Sequence, residues 1–104
     1  MNGGITVEFL LKYRQKIKID SVQDGTLKEM SDFLDFCVAS DTSDGGAVIR
    51  ALYFDGKSYR RAARALYLSR GAVEYKKKKA VLKYADSLEN RFRIPAKTEG
   101  DRRD

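Results

Sequence analysis

Arg70, Glu74 and Lys78 recur every four residues, with Gly71, Ala72 and Tyr75 between them. Read as the start of a helix, this run carries the side-chain types that read base edges. Arg70 can pair bidentately with guanine, Glu74 can accept from a cytosine amino group, and Ala72 can touch a thymine methyl. Gly71 and Ala72 also let a helix approach closely. Around the run lie Lys57, Ser58, Arg60, Arg61, Arg64, Ser69, Lys76, Lys77, Lys79 and Lys83. Those are donors suited to phosphate oxygens, which position a protein on a duplex without reading its sequence. The amides that follow Ser69 can add to phosphate binding.

The charge distribution agrees with this chemistry. Residues 1–55 hold 6 Lys/Arg against 9 Asp/Glu, whereas residues 56–93 hold 12 against 3. The last residues, 94–104, balance at 3 and 3. The basic excess is therefore confined to about a third of the chain, as expected for a surface that faces a polyanion. A solvated helix face would show the same charge excess. Four consecutive lysines, Lys76 to Lys79, cover the whole circumference of a helix, so at least one must turn toward the core and snorkel.

The elements that would position these residues are helices. One Pro and 42% hydrophobic residues in 104 favour one all-α domain, a small bundle of about five helices. Thr6 can cap a first helix running to about Lys16, with Leu10, Tyr13 and Ile17 inward. The alternation in Lys16–Asp20 leaves a short strand as the competing reading, and Gln23–Gly25 reads as a turn. Thr26 and Glu29 fit a capping box. After it, Leu27, Met30, Phe33, Leu34, Cys37 and Val38 form the stripe of an amphipathic helix, with Lys28, Glu29, Asp32 and Asp35 outward. Ser40–Gly46 is small and polar, a loop and the best internal boundary. It divides an N-terminal helical segment, 1–44, from a basic module, 45–93, and a charged tail, 94–104.

Within the module, Ala47–Asp55 reads as a short helix with Val48, Ile49 and Leu52 inward, ended by Gly56 in a left-handed conformation. Ser58 caps a helix from Tyr59 to about Leu66, Tyr67 and Leu68 make the turn, and Ser69 caps a helix from Arg70 to about Phe92. Two helices joined so tightly form a helix-turn-helix, in which one helix enters the major groove and the other braces it. The crossing needs small side chains, supplied by Ala62, Ala63 and Ala65. It needs apolar anchors at Leu66, Leu68 and Val73.

Gly56-Lys57-Ser58-Tyr59-Arg60-Arg61-Ala62-Ala63, then Leu66-Tyr67-Leu68-Ser69-Arg70-Gly71-Ala72-Val73, then Ala80, resembles region 4 of bacterial sigma factors. The resemblance runs from Val48 to Leu88 and is shared by small phage and mobile-element regulators such as the ArpU-like and RinA-like groups. It implies that the helix starting at Arg70 reads the major groove, with Ala80 in the core of the module. Three positions depart from the pattern. Tyr67 stands where the turn has Gly, Ala62 where a larger Ile or Val is usual, and Lys76 or Lys77 at a usually apolar place. At 104 residues there is no room for the other sigma region that melts promoter DNA, so the resemblance implies a stand-alone transcription regulator.

The expected partner is duplex DNA, with RNA polymerase and a second copy of the chain as further options. A DNA-packaging or recombination component fits the same residues, and so does an adaptor that docks on polymerase. Catalysis is not expected. The chain has no His and one Cys, Cys37, which reads as a structural thiol. It shows no phosphate-binding Gly loop and no metal-ligand spacing, so neither a cofactor nor a small-molecule substrate is implied. No charged start leads into a long apolar run and no stretch is long enough to span a bilayer, so a cytoplasmic, nucleoid-associated protein is expected.

Overall fold

Val73, Ala80, Val81, Tyr84, Ala85 and Leu88 fall on one side of a 3.6-residue repeat, and that stripe makes the last helix the spine of the molecule. The computed structural model describes residues 3–19 and 25–92. The helices are α1 (Gly3–Lys12), α2 (Arg14–Ile19), α3 (Gly25–Ser40), α4 (Asp44–Ile49), α5 (Tyr59–Leu66) and α6 (Arg70–Phe92). A π-helical turn, Arg50–Phe54, continues α4. Among the described residues the fold is an all-α bundle without strands. Helices α1, α3, α4 and α5 all pack on α6.

Two clusters hold the bundle together. The larger joins Val7, Leu10 and Leu11 of α1, Met30, Leu34 and Val38 of α3, and Ile49 of α4 to the lower stripe of α6. The smaller joins Val48 and Ala51 to Ala62, Ala63 and Val73, with Leu52, Leu66 and Leu68 at its edge. Val48 and Ile49 are adjacent in α4 and enter one cluster each, so α4 ties the two together. The core therefore runs across the break foreseen at Ser40–Gly46, and the N-terminal helices are packed on the basic half of the chain.

Several local expectations change. The first helix begins at Gly3, so Thr6 lies inside it instead of capping it. It breaks at Tyr13, which is exposed and stacks near Phe9, while Leu10 and Ile17 are buried as expected. Residues 16–19 are helical, not a strand. Residues 20–24 of the foreseen turn lie outside the described residues, and Gly25 opens α3, which puts Thr26 within its first turn. The α3 stripe is as read, and Ser31 is also buried on it. Asp35 is not simply outward, because Arg14 Nε and Nη2 donate to its carboxylate at 3.0 and 3.2 Å. The loop shortens to Asp41–Ser43. The Ser43 hydroxyl accepts from the Gly46 amide and caps α4.

The turn after α5 is a Schellman motif. The Tyr67 amide donates to the Arg64 carbonyl at 3.3 Å and the Leu68 amide to the Ala63 carbonyl at 2.9 Å. This geometry requires a left-handed residue, and Tyr67 adopts it at φ 58, ψ 43. Tyr67 has the one positive φ of any non-glycine among the described residues. A side chain there costs roughly 1–2 kcal/mol relative to the right-handed region. Gly56 has φ 71, the left-handed conformation expected just after Asp55, although the segment it follows is a π turn.

Candidate nucleic-acid interface

Serine caps set both helices of the basic half. The Ser58 hydroxyl accepts from the Arg61 amide at 3.2 Å, and the Ser69 hydroxyl accepts from the Ala72 amide at 3.0 Å. Each hydroxyl keeps its own proton to donate outward. The two helices meet on Ala62, Ala63 and Val73, all buried, and the methyl-sized side chains let the backbones come close. Ala65, expected at this crossing, is exposed instead. Ala80, expected in the same cluster, is buried in the larger one, where its β-carbon lies against Gly45 of α4.

The outer side of α6 carries Gly71, Glu74, Tyr75 and Lys78, all exposed, with Arg70 exposed at its start. Residues 71, 75, 78 and 82 share one helical stripe. Leu82 extends it as an exposed apolar side chain. A β-carbon on Gly71 would meet nothing within 4 Å, so the helix is open there to close approach. Ala72, read as outward, is half-buried. The Arg70 guanidinium lies 6.0 Å from the centre of the Tyr59 ring.

The basic residues divide into two groups. Arg60, Arg61, Arg64 and Lys78 are exposed and make no ion pair among the described residues. The others are partly engaged. Lys57 pairs with Asp55 at 3.5 Å, Lys76 with Asp44 at 3.3 Å and Lys83 with Asp41 at 2.8 Å. Lys79 sits 5.5 Å from the Tyr75 ring centre. Tyr75, Lys76, Lys79 and Lys83 form one wall of a groove of about 440 Å³ whose other wall is Ser43, Asp44 and Gly45.

Lys77 is turned inward. Its ammonium donates to the Tyr59 hydroxyl at 3.0 Å, lies 3.3 Å from Glu8 Oε2, and its side chain is 18% exposed. Burial alone would lower its pKa. Hydrogen bonding to Tyr59 and the interaction with Tyr53 outweigh that and hold it above its ordinary value. Lys77 is thus the lysine of the run that faces the core. It links α1, the π turn and α5 to α6, and its ammonium is not presented outward to a phosphate.

Asp41 organises the loop beneath the groove. Its carboxylate accepts from the Ser43 amide (2.9 Å), the Ser43 hydroxyl (2.6 Å) and the Tyr84 hydroxyl (2.7 Å) as well as from Lys83. Burial pushes this carboxyl up, but bonds from Lys83, Ser43 and Tyr84 outweigh it and hold it well below the usual range. Burial, then Asp41, raises the Tyr84 hydroxyl in turn. Arg50 Nη1 donates to the Val38 and Asp41 carbonyls at 2.8 and 2.9 Å, capping α3. For Cys37, burial and then Asp41 raise the thiol above its ordinary value, which opposes a reactive thiolate. No cluster of His, Cys, Asp or Glu able to hold a metal occurs among the described residues. No helix there is long and apolar enough to cross a membrane.

Sequence reasoning gave no role to Tyr59, Asp41 and Tyr84, and it placed Tyr67 in the turn without foreseeing its exposure. The chain matches no family model, no curated protein and no solved structure.

Proposed function

We propose that α5 and α6 form a helix-turn-helix, and that the chain binds duplex DNA sequence-specifically and acts as a stand-alone transcription regulator. The observation that carries this reading is the division of labour on the two helices. Ala62, Ala63 and Val73 lock the crossing, while Arg70, Gly71, Glu74, Tyr75 and Lys78 remain exposed on α6. A pair of short-linked helices with one polar face left open matches the docking of such modules in a major groove. Arg60, Arg61 and Arg64 on α5 are free of ion pairs and suit the phosphates beside that groove. Lys78 and Lys79 extend the basic surface along α6, whereas Lys77 belongs to the support of the module.

Equilibrium titration of a labelled mixed-sequence duplex at several salt concentrations tests the reading. Affinity should fall steeply with salt, with a logarithmic slope of about −0.9 per phosphate contact. A chain that leaves the duplex free even at low salt does not work in this way, and a polymerase-docking role then takes precedence.

A further inference from the structure

Tyr67 is left-handed at φ 58 and is 95% exposed. Among the described residues nothing offsets either feature. The ring packs on no neighbour, and the Schellman hydrogen bonds use only backbone atoms, so glycine would make the same turn without strain. The compensation for keeping an aromatic side chain here therefore lies outside the chain. Tyr67 sits three residues after Arg64 and three before Arg70, both exposed, and on the link between the two helices that would grip a duplex. A polyanion drawn to those two exposed guanidinium groups brings phosphate oxygens to the segment that carries the exposed phenol. The phenol hydroxyl is a neutral donor of the kind that holds backbone phosphates.

We propose that Tyr67 is a DNA-binding residue whose hydroxyl donates to a phosphate of the duplex beside the groove that α6 enters. The inference rests on the duplex-binding reading above. It gives the departure from glycine in this turn a role in binding, and it makes the turn itself part of the interface.

Two variants of the full chain, Tyr67→Phe and Tyr67→Gly, separate the hydroxyl from the backbone effect, with Arg64→Ala as a charge control. Each is measured by thermal melting and by titration of a mixed-sequence duplex at three salt concentrations. Both Tyr67 variants should bind about tenfold more weakly, the loss of one hydrogen bond to a charged group. Their salt dependence should equal that of the unaltered chain, because a neutral donor releases no counterion, whereas Arg64→Ala should flatten the slope by about one contact. Tyr67→Gly should also melt several degrees higher as the strained conformation is relieved, so stability rises while binding falls. Undiminished duplex binding by Tyr67→Phe or Tyr67→Gly, in a chain that otherwise binds, overturns this inference alone and leaves the ring to a protein partner. Failure of the unaltered chain to bind duplex overturns the inference together with the reading on which it rests.

Discussion

Gly46→Ala and Gly71→Ala should change stability in opposite directions, although both add one methyl to a helix. At Gly46 the new β-carbon would lie inside contact distance of the Asp41 carbonyl oxygen, 2.8 Å from Asp41 Cβ and 2.9 Å from its Cγ. Turning a side chain cannot relieve a clash with backbone, and Asp41 is held in place. Its carbonyl accepts from Arg50, and its carboxylate accepts from Ser43, Tyr84 and Lys83. Moving Asp41 stretches these bonds, each worth about 1 kcal/mol net and more where charged, and overpacking of this kind costs ~1–3 kcal/mol. The gain from replacing glycine in a helix is at most ~1 kcal/mol. The balance is a loss of about 2 kcal/mol, or roughly 10 °C in Tm for a domain this size. At Gly71 the methyl meets open space, so only the favourable term remains, ~0.5–1 kcal/mol and a rise of a few degrees. Circular dichroism melts of the two variants decide the matter. A Gly46→Ala chain that melts as high as the unaltered one would show that Asp41 is not anchored beneath α4 as described. The same Gly71→Ala variant should bind duplex more weakly if α6 makes its closest approach there.

Other perturbations separate support from contact. Lys77→Ala should lower Tm, since it strands the Tyr59 hydroxyl and unties Glu8, yet leave the salt dependence of DNA binding unchanged. Lys78→Ala should do the reverse, with a slope reduced by about one contact; a Lys77→Ala chain with a flattened slope would return Lys77 to the interface. Asp41 has a folded pKa depressed below its ordinary 3.8, so its contribution is present above about pH 4 and is lost as pH falls through the lower folded value. Melts from pH 7 to pH 2 should therefore show the gap between the unaltered chain and Asp41→Asn narrowing on acidification; a constant gap contradicts the assignment. Arg70→Ala should melt within a few degrees of the unaltered chain, because the side chain is exposed, and should relax base preference at one position, where a bidentate contact is worth ~1–3 kcal/mol.

The sequence carried most of the helices because local rules and tertiary demands agree in them. The α3 stripe and the Ser58 and Ser69 caps follow directly from spacing and side-chain type. Agreement fails at α1, where two glycines argue against helix, but burial of Val7, Leu10 and Leu11 against α6 overrides their propensity. The π turn is invisible to a 3.6-residue pattern, which reads Ala47–Asp55 as one regular helix. Four consecutive lysines hide which one faces inward, although the Val73–Lys77–Tyr84 spacing places Lys77 on the buried stripe. The pairing of Asp41 with Tyr84 joins residues 43 apart, and no local signal announces it. At the turn, a left-handed tyrosine runs against the glycine preference, but the Schellman hydrogen bonds form all the same.

The most direct test of the central claim is selection from a pool of random short duplexes at about 150 mM salt, a regime in which phosphate contacts alone are weakened, with the retained molecules sequenced. The account predicts an enriched motif that loses information at one position in the Arg70→Ala variant. Retention without any motif would contradict sequence-specific readout by α6 and leave only phosphate binding.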